Sequence, residues 1–183
     1  MQRDLVEAAR RGDHQAFEAL ATASADRLYR IATLILRDHG RAQDAVQEAL
    51  VHAWRELPAL RDPDRFSAWL HRLLVNACLD EARSRHRVAA EVSMLRIEPS
   101  TQDAQIAVAD RDELERGFRR LKPPQRAVVV LHFYVGLTVA EVAETLGVPL
   151  GTAKSRLHYA TEVLRAALEA DARTGLASNG TTA

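Results

Sequence analysis

The sequence predicts an all-α protein, two small helical domains joined by a flexible linker. Three observations carry that expectation. Ala, Leu, Arg and Glu dominate the 183 residues, and only 8 Gly and 6 Pro interrupt them, a composition that favours helix. Apolar residues recur every three or four positions in both halves of the chain. Between the halves lies an acidic stretch: Val88 to Gly117 holds seven acids against three bases, and apolar residues are sparse from Pro99 to Gln105. The boundaries that follow are a first domain over 1–87, an acidic linker over 88–109, a second domain over 110–172 and a disordered tail over 173–183.

The elements follow in order. A short helix around Asp4 to Arg10 ends at Gly12, and Asp13 caps the next. There Phe17, Leu20, Leu28, Ile31, Leu34 and Ile35 keep helical spacing to about Arg37, and "DHG" at Asp38–Gly40 breaks it. A third helix carries Ala42, Ala45, Val46, Ala49, Leu50, Ala53 and Trp54 on one stripe and stops before Pro58. The loop "LPALRDPDRF" contains Pro58 and Pro63, each of which disfavours helix at the residue before it. A fourth helix starts near Asp64 and turns Phe66, Trp69, Leu70, Leu73, Leu74, Ala77 and Cys78 inward. Beyond the linker a helix begins near Asp110. "KPP" follows, and then "QRAVVVLHFYVG", whose β-branched run suits either a strand or a buried helix. Its helical neighbours favour the helix.

Bulk properties exclude several classes. Lys+Arg and Asp+Glu are both 25, so any affinity for nucleic acid must come from the distribution of charge. The single Cys78 excludes an internal disulfide and a cysteine zinc site. The N-terminus lacks an apolar signal core, and no run approaches the roughly 18 apolar residues of a membrane span. These features describe a cytosolic protein without membrane insertion. Seven scattered histidines form no HExxH pair, and neither a phosphate loop nor a nucleophile motif is present. No catalytic residue, metal site or cofactor is expected.

"LTVAEVAETLGVPLGTAKSRLHYA" has the parts of a helix-turn-helix. Thr138 caps a helix holding Val139, Val142, Ala143 and Leu146, with Glu141 as its capping-box partner. Gly147 makes the turn, and Pro149 suits the first turn of the next helix. In that helix Ala153, Leu157, Ala160 and Leu164 fall on one side. Ser155, His158 and Tyr159 fall on the other, flanked by Thr152, Lys154 and Arg156. The outer face from Thr152 to Tyr159 carries no carboxylate, which suits a phosphate surface. A solvated face on an ordinary amphipathic helix is the competing reading.

Two further constellations stand out. From Leu60 to Arg87 six arginines face four acids, and Phe66 and Trp69 sit among them. Arginines with rings can track and stack on a single strand. Alternatively, the two rings anchor a core at i and i+3, the reading preferred for Trp69. In "RAQDAVQEALVHAW", Asp44, Gln47, Glu48 and Val51 share one helix face beside the stripe of Ala45, Ala49 and His52. Without further information such a face is most simply solvated.

These residues together resemble the bacterial sigma factors of the extracytoplasmic-function group. "ILRDHGRAQDAVQEALVHAWRELPAL" is similar to the family's core-polymerase-binding segment. "RFSAWLHRLLVNACLDEARSR" is similar to its minus-ten recognition helix, and the block from Leu121 to Leu168 to its minus-thirty-five domain. The three blocks stand in the family's order, from about Asp13 to Leu168.

The resemblance implies roles for particular residues. Asp44, Gln47 and Glu48 would dock on the clamp-helix coiled coil of the polymerase largest subunit. The loop Arg61, Asp62, Asp64, Arg65 and Phe66 would capture a flipped-out base of the melted minus-ten strand. Asn76, Asp80 and Arg83 would line the upstream promoter edge. Lys154, Ser155, His158 and Tyr159 would meet minus-thirty-five bases, and Arg156 the backbone. The acidic linker would thread through polymerase. The implied partners are core RNA polymerase, promoter DNA as duplex and as melted strand, and an anti-sigma protein covering the polymerase-binding faces. Two departures mark this chain. Tyr159 and Thr161 stand where many members carry Arg, and the loop "LRDPDRF" is interrupted by proline where a common version has glycine. The alternative function is a stand-alone helix-turn-helix regulator, which would bind duplex without polymerase.

Overall fold

Asp13 fixes where the first long helix begins. Its carboxylate accepts a hydrogen bond from the Ala16 N–H at 3.1 Å, satisfying a donor that the first turn leaves orphaned. In the computed structural model, which describes residues 1–94 and 112–178 and side chains over 1–84 and 115–169, α1 spans Gln2–Arg10 and α2 spans His14–Leu36. Arg37 ends α2 in the left-handed conformation (φ 59°), and Asp38 restarts the chain by accepting from the Arg41 N–H at 3.0 Å. The third helix, α3, is His39–Glu56, so Gly40 lies inside it and the break falls on Arg37 and Asp38.

Two single turns of 3-10 helix, Leu57–Ala59 and Pro63–Arg65, carry the proline-containing loop. Asp62 caps the second by accepting from the Asp64 N–H at 3.0 Å. The fourth helix, α4, then runs Phe66–Met94. It passes the boundary expected at Arg87, because Val88 to Met94 contain no helix breaker. The rest of the expected linker, 95–109, lies outside the described residues. Along α4, Phe66, Leu70, Leu74, Val75, Ala77 and Cys78 are buried against α2 and α3. Arg41 of α3 ties the far end: its Nε donates to Glu81 Oε1 at 2.9 Å and its Nη2 to the Glu81 carbonyl at 2.7 Å.

The second unit holds α5 (Asp112–Arg120), α6 (Pro123–Val129), α7 (Val139–Leu146) and α8 (Leu150–Ser178). The valine run is helical, continuing from α6 into a π-helical turn at Val130–Tyr134. Ala127 to Leu131 are all buried, so packing overrides the β preference of valine. Thr138 and Glu141 form the expected capping box, and Gly147 takes the left-handed conformation (φ 61°) that the turn needs. Pro149 stands immediately before α8 and not in its first turn. Its carbonyl is the helix's first acceptor, receiving the Thr152 and Ala153 N–H groups at 2.9 and 3.1 Å. The backbone of α8 continues through the expected tail boundary to Ser178; 179–183 lie outside the described residues. Gly117 lets α5 approach α8, since a Cβ there would lie 2.8 Å from Leu164 Cδ2 and 3.2 Å from Ala167 Cβ.

The two units also pack on each other. Ala127, Val128, Val130, Leu131 and Val142 join the apolar cluster of the first unit, where α6 meets α2 and α4 and α7 meets α4. Arg37 pairs with Glu115, and Arg27 donates to the Val135 carbonyl at 3.5 Å. Nothing in the spacing of either half foretells this shared core.

Candidate nucleic-acid and polymerase interfaces

The helix α8 separates its faces as its periodicity requires. Ala153 and Ala160 are fully buried, and Leu157 and Leu164 are half-buried. Lys154, Ser155, His158 and Tyr159 are exposed, Tyr159 to 52%. Thr152 and Arg156 lie at the flanks, half-buried. Lys154 and Arg156 have no ion-pair partner among the described residues, so both cations are free for an external anion. Glu162 begins the next turn but is paired with Arg165. Ser155 donates to the Thr152 carbonyl at 3.0 Å, leaving its oxygen able to accept. An exposed, carboxylate-free face with free cations is what a groove-reading helix presents.

The loop after α3 is built differently from the expectation in one respect. Phe66 is only 2% exposed and lies in the core, so it presents no ring for a base. Trp69, one turn later, is half-buried and lines an open cavity of about 430 Å³ with Arg61, Asp62, Asp64, Arg65 and Arg72. The spacing i, i+3 allows either ring inside, and packing under the loop selects Phe66. Asp62 caps the turn, and Asp64 accepts from Arg3 Nη1 at 2.7 Å, so these two acids shape the loop. Arg61 and Arg72 are exposed and have no ion-pair partner among the described residues. Arg65 reaches Glu144 of α7 at 3.8 Å. Asn76, Asp80 and Arg83 are exposed along one side of α4, and Arg83 pairs with Asp80 at 2.8 Å. Arg85 and Arg87 have side chains outside the described residues.

On α3, Asp44, Gln47 and Glu48 are exposed while Ala45 and Ala49 are buried under them. His52, placed with those alanines by spacing, is exposed between Glu48 (4.0 Å) and Glu56 (3.7 Å). Gln47 borders a groove of about 880 Å³ between α2 and α3 with an apolar floor of Phe17, Val46, Leu50 and Trp54. Trp54 packs on His14 (ring centroids 4.4 Å) and Phe17 (5.0 Å). Sequence reading missed this groove because it forms only where α3 folds back on α2, a pairing that the spacing within either helix does not show. The unpaired Val51, 41% exposed beside the polar strip, was the available signal.

Two titratable groups under these surfaces are perturbed. Burial beside the Arg27 charge pushes the His71 imidazole down to about 4, and burial pushes the Cys78 thiol up to about 12. Among the described residues, no group of three His, Cys, Asp or Glu could hold a metal ion, and no helix is long and apolar enough to cross a membrane.

Comparison with known proteins matches residues 20–88 to Sigma-70 region 2 and residues 117–166 to Sigma-70, region 4. The ECF RNA polymerase sigma factor SigM of Mycobacterium tuberculosis is 37% identical over 147 residues, 79% of this chain and 73% of SigM. SigL of the same species is 36% identical over 146 residues, 78% of this chain and 82% of SigL. Among solved structures, RpoE of Bartonella quintana, in complex with the anti-sigma factor NepR, superposes with a TM-score of 0.67 at 26% identity, over 85% of this chain and 98% of that one. CnrH, in complex with the cytosolic domain of CnrY, does so with a TM-score of 0.64 at 30% identity, over 93% and 98%.

Proposed function

The chain belongs to the extracytoplasmic-function sigma factors of RNA polymerase, and from that premise we propose how its surfaces divide the work of promoter recognition. As a member it binds core polymerase and directs promoter-specific initiation. The strip Asp44, Gln47 and Glu48, with the apolar groove beside it, is the polymerase-docking surface. Charge at its rim sets approach, and the Trp54 floor supplies apolar burial. The loop Arg61–Arg65 with Trp69 and Arg72 holds the melted minus-ten strand, the arginines on phosphates and the indole on a base. Asn76, Asp80 and Arg83 border the upstream edge. Lys154, Ser155, His158 and Tyr159 read the minus-thirty-five duplex from the major groove, and Arg156 holds its backbone.

The observation that carries this division is the free cations and exposed polar side chains of α8, on the same chain as the Arg61–Arg72 cavity. A stand-alone regulator would account for 117–166 and leave the first unit without a role. We read the protein as a cytoplasmic initiation factor with no catalytic centre of its own. An anti-sigma protein is a fitting competitor for the α2–α3 groove, since the structural relative RpoE is solved with such a partner. Run-off transcription with purified core polymerase on genomic fragments tests the proposal. Specific transcripts should require both proteins, and should be reduced with Arg61→Ala or Lys154→Ala while core binding persists. Tight promoter binding by the free chain, unaffected by polymerase, would refute it.

A further inference from the structure

We infer that Arg3 of α1 is a positioning residue for the strand-binding loop: it tethers and neutralises Asp64, so that a melted strand meets a loop already set and without a bare carboxylate at that corner. The inference rests on the proposed role of the Arg61–Arg65 loop. Arg3 Nη1 donates to Asp64 Oδ2 at 2.7 Å, joining stretches far apart in the chain. Its Nε donates to Glu7 Oε1 at 3.1 Å, one turn along α1, so two edges of the guanidinium are held at once. Beside it, Gln2 Nε2 donates to Ser67 Oγ at 3.2 Å. The two side chains of α1 thus grip the loop at Asp64 and just beyond it at Ser67. The backbone of α1 also lies against both 3-10 turns, Leu57–Ala59 and Pro63–Arg65.

The anchor of this tether is firm. Val6 and Ala9 bury the inner side of α1 in the core of the first unit, so Arg3 projects from a fixed helix. The Arg3–Asp64 pair itself is exposed and adds little to overall stability. Its effect falls on the loop. There Asp62 is occupied in capping the turn, and the Asp64 carboxylate has Arg3 as its ion-pair partner. Asp64 stands next to Arg65, one of the cations proposed to hold phosphates. A carboxylate left bare there would repel the polyanion that the loop must take. The hydrogen bond to Glu7 and the charges of Asp64 and Asp62 raise the Arg3 pKa, so the guanidinium serves both loop acids. The segment matched to Sigma-70 region 2 begins at residue 20, beyond α1, so this role is read from this chain's own contacts.

The test uses the full chain assembled with core polymerase, on a promoter recovered by the run-off assay. Opening is followed by the fluorescence of 2-aminopurine placed in the minus-ten element, and core affinity is measured separately. Arg3→Ala should slow opening roughly three- to fivefold, with core affinity and the unfolding midpoint of the free chain unchanged. Arg3→Glu, which sets a third acid beside Asp64 and Glu7, should slow it roughly tenfold. Arg3→Lys keeps the charge without the fork and should recover part of the rate. The double-mutant cycle is decisive. In an Asp64→Asn background, Arg3→Ala should change opening by less than about twofold, because its target is gone. Wild-type opening by Arg3→Ala, or an equal slowing with and without the Asp64 carboxylate, overturns the inference. Arg61→Ala separates this failure from that of the underlying reading. If it slows opening while Arg3→Ala does not, only the positioning role falls. If it leaves opening intact, the loop reading itself falls.

Discussion

His71 sits one turn beyond the strand-binding loop, 8% exposed on the inner face of α4. Ser24, Arg27, Leu28, Ser67 and Leu70 surround it, and no carboxylate lines that space. Burial and the Arg27 charge hold its imidazole neutral down to about pH 4, against 6.5 for the free side chain. Between those two values the unfolded chain binds a proton that the folded chain refuses, so stability must fall as pH drops through this window. The contribution is complete above 6.5 and lost as pH approaches 4. At about 1.36 kcal/mol per unit, the full loss is about 3 kcal/mol, and about 2 kcal/mol of it has gone by about pH 5. Urea denaturation of the wild type and of His71→Leu at neutral pH and near pH 5 measures it. The leucine variant, whatever its stability at neutral pH, should lack about 2 kcal/mol of the acid-induced loss. Parallel pH profiles for the two proteins would refute the assignment.

Other outcomes follow from the same geometry. Gly147→Ala meets no neighbouring atom but must hold a left-handed backbone, so it should cost about 1–2 kcal/mol in denaturant unfolding, and Gly147→Asn less. Lys154→Ala or Ser155→Ala should each cost up to about 1–3 kcal/mol on the cognate promoter and relax selectivity at one base, measured by holoenzyme binding to a promoter-variant panel. Arg156→Ala should instead weaken all promoters alike and reduce the salt slope of binding by about 0.9. The Cys78 thiol, raised and buried, should resist iodoacetamide in the native protein and react on the timescale of unfolding, followed by mass spectrometry.

What could be read in advance was whatever depends on residues a few positions apart. Asp13 with Ala16, Thr138 with Glu141, and Gly147 are local devices, and each appears where the sequence puts it. The polar face of α8 was legible because steps of three and four define it. Phe66 and Trp69 were not, because both lie on the same side of α4 and only the packing beneath the loop chooses between them. The helix α4 runs on to Met94, into the stretch read as linker, since Val88 to Met94 contain nothing that stops a helix. The shared core lay beyond sequence reading altogether, since it joins stretches with no periodic relation, and the α2–α3 groove left only the exposed Val51 as a sign.

Arg37 is, among the described residues, the single non-glycine at positive φ. Glycine would turn that corner with no side-chain strain, yet only a long cation there can reach Glu115, and the corner's backbone aims it. One position thus sets two quantities in opposite directions. Arg37→Gly would relax the first unit while releasing the second, so the stability of the N-terminal bundle and the grip between the two units are coupled through a single codon.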